Sequence, residues 1–153
     1  MSIRRPAMNP DLRQRVLEFV ASFDRNDLDH VMSFFAEDAE YCPGDGHRHR
    51  GKAAIRKAFL PQFEGVYGAM TFPLHDMLVD EAARKVAIRW ACRHDFSQSP
   101  RGRLPGLRSL FLKNIFGKRF HWQGVDVFHF DEQGLLIGKY SYANTLMPLF
   151  HRD

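Results

Sequence analysis

The chain has 153 residues, 44% of them apolar and 13% aromatic, and carries a net charge of +4. That length suits one domain with a sizeable core, and no apolar run approaches the roughly 20 residues that span a bilayer. The opening "MSIRRPAMNP" has two arginines but no apolar stretch behind them, so it does not read as a secretory signal.

The positive charge is local. Residues 97–119 hold Arg101, Arg103, Arg108, Lys113, Lys118 and Arg119 with no acid, which leaves the rest of the chain at a net −2. A nucleic-acid-binding domain spreads its basicity over a face or stripe, so no nucleic-acid partner is expected. The two cysteines, Cys42 and Cys92, fit no metal spacing and read as reduced thiols of a cytoplasmic protein.

In chain order, "NPDLRQRVLEFVASFDRND" opens with Asn9 as N-cap and Pro10 at the first helical position. Leu12, Val16, Phe19, Val20 and Phe23 then recur at helical spacing. A second helix restarts at Asn26 or Asp27 and buries Leu28, Val31, Phe34 and Phe35. "AEYCPGDGHRHRG" is a short strand running into a Gly- and His-rich loop, and "GKAAIRKAFLPQF" is a third helix with Ile55, Phe59 and Phe63 on one side. From there the period falls to two. "MTFPLHDMLVD" is a strand whose proline marks an edge or a bulge. In the next strand Val86, Ile88, Trp90, Cys92 and His94 share one face. After the basic segment, "FHWQGVDVFHF" places Phe120, Trp122, Phe128 and Phe130 on one face, "DEQG" turns, and "LLIGKYSYANTLM" is the last strand. Helices followed by antiparallel strands make an α+β fold, three helices packed on one face of a curved sheet.

Asp126 is the anomaly of this pattern, because it shares the aromatic face of its strand. An unpaired charge there is costly, and desolvation between Trp122 and Phe128 favours the uncharged acid. No arginine shares that face, so Asp126 is expected either as a neutral acid donating a hydrogen bond or in a close bond to His94 or a tyrosine hydroxyl. Asp126→Asn is then expected to leave the fold intact. His94 is the second polar side chain on a buried face and titrates near neutrality. Tyr41 has the parity of a pocket-facing residue. Of the last strand, Tyr140, Tyr142 and Asn144 lie on one face and Lys139 and Ser141 on the other, and alternation leaves open which is inward. His47 and His49 stand at i and i+2 without a third ligand at a recognised spacing, so no metal is expected. No nucleophile elbow, phosphate loop or paired cysteines occur, and no cofactor is expected.

Four stretches, "RNDLDHVMSFFAEDAEY", "RGKAAIRKAF", "GVDVFHFDEQGLL" and "KYSYAN", resemble in order and spacing the nuclear transport factor 2-like superfamily, in particular its SnoaL-like and ketosteroid-isomerase-like members. The resemblance implies a cone-shaped α+β barrel around one apolar pocket, often dimeric, here one domain over residues 1–153 with 97–119 as an insert or flap. It places Asp126 where the isomerases carry a neutral aspartic acid that donates to a substrate oxyanion, and where related polyketide cyclases carry an acidic catalytic residue. The oxyanion tyrosine of the isomerases aligns with Phe19, and their base aspartate with Cys42 and Pro43, the nearest carboxylate being Asp45. Steroid isomerisation proper is therefore not expected.

The reading is a small cofactor-independent enzyme of the isomerase, cyclase or dehydratase type. Asp126 would transfer protons on an apolar, carbonyl- or hydroxyl-bearing substrate, helped by His94 and Tyr41, with Phe19, Trp90, Cys92, Trp122 and Phe128 as walls. The alternative is a non-catalytic module that binds a hydrophobic ligand or dimerises. A homodimer through the outer sheet face, with Val125 and Val127, is expected. The insert reads as a helix with Leu107, Leu110, Phe111 and Ile115 on one side. It would serve as a lid or a contact to the partner subunit, with anionic membrane contact through 101–119 the weaker alternative.

Overall fold

The computed structural model describes residues 11–98 and 106–144. Helix α1 (Leu12–Asp24) turns Leu12, Val16, Phe19, Val20 and Phe23 inward. The expected cap, Asn9, and Pro10 lie outside the described residues; the side chain that accepts a first-turn N–H is that of Asp11, 3.1 Å from the Gln14 amide. Helix α2 (Leu28–Ser33) is capped by Asp27, which accepts from His30. It ends before the two phenylalanines that its periodicity would include. Phe34 gives its carbonyl to Leu136, at 2.8 Å, and so draws the chain into the sheet, where Phe35 opens strand β1 (Phe35–Cys42).

Strand β2 (His49–Arg50) folds back on β1, and helix α3 (Lys52–Phe63) buries Ile55, Phe59 and Phe63. The proline-containing segment is two strands, β3 (Ala69–Thr71) and β4 (Leu74–Asp80), interrupted at Phe72 and Pro73. Both pair with β5 (Lys85–Asp95) along one edge, and the Pro73 carbonyl accepts from Ala91 across the break. Helix α4 (Leu107–Phe116) lies between β5 and β6 (Arg119–Phe130). The Asp131 carboxylate accepts the amides of Gln133 and Leu135 to close the turn into β7 (Leu136–Ala143).

The sheet order is β2-β1-β7-β6-β5-β3, with β4 also on β5. All pairings are antiparallel except β1 with β7, which is parallel. This is the α+β architecture expected, its sheet curled into a half-barrel against the helices. Phe19 stands at the centre of the core, its ring 5.2–5.9 Å from those of Phe23, Phe34, Phe35 and Phe128. Among the described residues no helix is long and apolar enough to cross a membrane.

Much of the apolar stripe of α4 is exposed. Leu107 is 88% exposed and Phe111 65%, and the helix is tied down at its other end, where Phe116 stacks on Phe120 at 4.8 Å. Within the first turn Ser109 is buried, while Leu107 stands out into solvent.

The outer face of the sheet is unusually apolar for a solvated surface. Leu78, Ala87, Val127 and Tyr140 form a row across four strands, and Val125, Ile137 and Tyr142 are exposed nearby. This face predicts pairing of two copies. Light scattering at micromolar concentration should return twice the chain mass, and Val125→Arg should return the monomer; a monomeric wild type excludes the pairing.

Candidate functional site

The inward rows of β5 and β6 and the apolar sides of α1 and α3 enclose a cavity of about 250 Å³. Gly124 makes room for its widest wall. It lies opposite Trp90, and a Cβ at 124 would come within 2.5 Å of the indole, which instead lies across β6. Of the side chains singled out from sequence, Asp126, His94, Tyr41, Phe19, Trp90, Cys92 and Trp122 line this one cavity. Phe128 does not. It lies behind the wall, fully buried, with its ring 5.6 Å from that of Phe19.

At one end three strands bring a polar cluster together. The register sets Asp126 of β6 opposite Ser141 of β7, and Tyr41 of β1 opposite Lys139 of β7. Lys139 Nζ lies 2.8 Å from Asp126 Oδ2 and donates to Ser141 Oγ at 2.7 Å. It also stands 5.0 Å over the Tyr41 ring and 5.6 Å over that of Phe128. Both charged side chains are nine-tenths buried. Burial, reinforced by the Asp126 charge and opposed by a hydrogen bond with Ser141, pushes the Tyr41 phenol well above its ordinary range, which keeps it a neutral donor.

The cluster corrects the sequence reading in two respects and answers a third point that alternation left open. Asp126 is partnered by a lysine of the neighbouring strand, in place of His94 or a tyrosine hydroxyl. The inward face of β7 is the one with Lys139 and Ser141, because a bulge near its start shifts the register between Phe130–Leu136 and His129–Gly138. Finally, Asp126→Asn would leave a buried ammonium without its counter-charge, so the substitution is not silent for the fold. Lys139 and Ser141 were missed as site residues. The signal was their shared parity, two polar side chains on one face of an otherwise apolar strand.

The other end is neutral. His94 of β5 is opposite Phe120, six residues along β6 from Asp126, so the two do not meet. Its Nδ1 lies 3.1 Å from the Tyr67 carbonyl and its Nε2 3.2 Å from Cys92 Sγ. The ring is stacked on Phe120 at 4.3 Å with Trp122 at its edge, 4.6 Å away. Burial lowers the His94 pKa to about 4, against a smaller opposite effect of the Tyr67 carbonyl, and raises the Cys92 thiol well above its ordinary range. Trp90 Nε1, Trp122 Nε1 and Asp126 Oδ1 are buried without a hydrogen-bond partner among the described residues. Asp45 reaches the cavity from the exposed loop after β1, where its carboxylate pairs with His47. No group of three metal-ligating side chains occurs among the described residues.

The sequence model of the SnoaL-like domain family matches residues 16–138. No curated protein matches the chain. Among solved structures the chain is similar to SalBIII, an epoxide hydrolase/cyclase-like enzyme in pyran ring formation in the polyether salinomycin, at 18% identity and TM-score 0.66, covering 88% of this chain and 91% of that one. It is similar to a protein of Jannaschia sp. CCS1 assigned as a SnoaL-like polyketide cyclase, at 13% identity and TM-score 0.68, with 96% and 94% covered. It is also similar to AusH of Aspergillus nidulans, at 18% identity and TM-score 0.67, with 92% and 88% covered. At these identities the likeness is one of fold.

Two stability measurements follow from the site. Lys139→Met strands a buried carboxylate and should cost about 3–5 kcal/mol in urea unfolding, while Asp126→Leu with Lys139→Met should recover most of that loss. If the single variant is as stable as wild type, the pair is not an energetic unit. His94 gives a pH signature. Its folded pKa of about 4 lies below the ordinary value of about 6.5, so the unfolded chain protonates first as pH falls. The contribution is fully present above that ordinary value and is lost towards pH 4, on the order of 3 kcal/mol in all. Urea unfolding across this range should show the slope, and His94→Gln should flatten it.

Proposed function

The chain belongs to the SnoaL-like domain family, and we propose that it is a cofactor-independent, polyketide-cyclase-like enzyme that moves a proton on an apolar, carbonyl-bearing substrate. The observation that carries this reading is the convergence of a carboxylate, an ammonium and two hydroxyls on one wall of an apolar cavity. A pocket that only sequestered an apolar ligand would gain nothing from desolvating two ions there. The names of the similar structures, a cyclase-like enzyme and an assigned polyketide cyclase, support the same class.

The division of labour follows from the hydrogen bonds. Asp126 Oδ2 is engaged by Lys139, which leaves Oδ1 as the oxygen that accepts a proton from a carbon next to the substrate carbonyl. Negative charge then moves onto the carbonyl oxygen. Lys139 has three N–H donors, of which Asp126 and Ser141 take two, so the third is available to that oxygen. Tyr41, held neutral, supplies a further hydroxyl. The enolate carbon attacks a second electrophilic carbon in a cyclase, or is reprotonated elsewhere in an isomerase; in both, Asp126 returns the proton. The aromatic walls exclude water, which strengthens these interactions and protects the enolate. His94 lies outside this step.

The test is exchange of α-protons of 2-tetralone, an apolar ketone, in deuterated buffer, read by NMR. Its binding is followed by quenching of the protein's two tryptophans, Trp90 and Trp122, which both line the cavity. Wild type should accelerate exchange over buffer, and Asp126→Asn should lose about a hundredfold or more. Asp126→Asn with Lys139→Met, which removes both charges, should show the same loss and guards against unfolding of the single variant. Undiminished exchange in a folded variant overturns the assignment.

A further inference from the structure

The neutral end of the cavity has a chemistry of its own, independent of the proton-transfer reading. A carbonyl oxygen can only accept, so the contact to Tyr67 places the proton of His94 on Nδ1. Nε2 is then the acceptor, and the thiol of Cys92, 3.2 Å away, donates to it. The result is an ordered chain: thiol, imidazole, backbone carbonyl. A nucleophile within reach of a base, with the base oriented by a third group, is the arrangement that activates cysteine for attack. The imidazole is also immobilised, between the Phe120 ring on its face and Trp122 at its edge.

A second observation points to a ligand. Trp122 is the cross-strand partner of Cys92, and Trp90 precedes Cys92 by two on the same face of β5. The indole N–H of each is buried without a partner among the described residues, and Trp90 is only 7% exposed. An unsatisfied buried donor costs about 1–3 kcal/mol. Indole donors without a partner among the described residues, on two wall residues that neighbour the thiol, match a ligand that brings an oxygen next to an electrophilic carbon.

We propose that Cys92 and His94 form a nucleophile–base dyad that adds the thiol across the conjugated carbon–carbon double bond of an α,β-unsaturated ketone bound in the cavity. The sulfur forms a bond to the β-carbon while its proton passes to His94 Nε2. The double-bond electron pair moves through the α-carbon onto the carbonyl oxygen, where an indole N–H receives it. The proton then passes from Nε2 to the α-carbon, so the imidazole ends neutral and the net change is addition of S–H. No oxidant or reductant takes part, and the reverse sequence releases the ligand.

Burial holds both groups uncharged before attack, which gives the dyad a signature in pH. An ordinary thiol reacts as thiolate, and its rate climbs about tenfold per pH unit below a pKa of about 8.5. Here proton transfer accompanies attack, and the rate should be nearly flat. The experiment uses Cys42→Ser, which leaves Cys92 as the single thiol, with 2-cyclohexenone as probe and intact-protein mass spectrometry as readout. One adduct should form at Cys92, with a rate that changes less than about threefold between about pH 6 and pH 8, against about a hundredfold for an ordinary thiol. His94→Gln, still able to donate to the Tyr67 carbonyl, should slow the reaction at least about tenfold while tryptophan quenching by the probe persists. Absence of an adduct, or a rate that climbs tenfold per pH unit, overturns the proposal without recourse to the His94 variant.

Discussion

The buried contact between Lys139 and Asp126 constrains more of this molecule than any other. Taking two ions out of water costs several kcal/mol each, and their attraction offsets that only where geometry and additional hydrogen bonds are good. Here the geometry needs three strands in register. Asp126 comes from β6, Lys139 and Ser141 from β7, and the Tyr41 ring from β1. A slip of one residue in either pairing of β7 would turn the ammonium outward and leave the carboxylate stranded. The parallel pairing of β1 with β7 is therefore tied to the site and is not a detail of topology.

The pair also polarises the cavity along its length. Cys92 sits opposite Trp122, four residues along the strand from Asp126, which is roughly 13 Å at extended spacing. One end thus offers full charges and hydroxyls, the other a neutral chain of thiol, imidazole and carbonyl, and indole faces fill the stretch between. A ligand with one polar end has two unlike places to put it. The ionic end suits a group that develops negative charge beside a proton in transit, whereas the neutral end suits an oxygen that takes a single hydrogen bond. This asymmetry orients a polar-ended molecule more strongly than the walls between, which are a mixture of aromatic and aliphatic side chains.

Much of this was legible before any coordinates. The period of two in residues 85–95 and 120–130 located both walls and the misplaced carboxylate, because neither strand is interrupted and the register between them runs without a shift. The helices were legible from their apolar spacing, although Phe34 and Phe35, apolar in either state, hid where α2 ends and β1 begins. What alternation could not supply was the face of β7. Its bulge puts Leu136 inward and Ile137 outward, yet Lys139 inward again, so parity counted from the start of the strand gives the wrong answer. The partner of Asp126 was hidden for the same reason. Phe128 illustrates a different limit: parity assigns a side chain to a face, but whether it lines the cavity or lies behind the lining depends on Phe19, which arrives from a helix more than a hundred residues earlier.

The remaining cost of the design is concentrated in one place. Trp90 Nε1, Trp122 Nε1 and Asp126 Oδ1 are the buried side-chain polar atoms without a partner among the described residues, and all three belong to residues of the cavity wall. At about 1–3 kcal/mol each, they are a substantial fraction of the 5–15 kcal/mol by which a domain is typically stable. Elsewhere the chain satisfies such groups with care: Ser22, fully buried on α1, donates to the Glu18 carbonyl and meets His30 Nδ1 at 2.9 Å. Most polar groups are paired internally, in the core and in the cavity wall alike, and the three atoms without a partner among the described residues all belong to wall residues. Of the two oxygens of Asp126, Oδ2 is paired with Lys139, while Oδ1 has no partner among the described residues; in the proposed reaction it is that second oxygen that takes the proton.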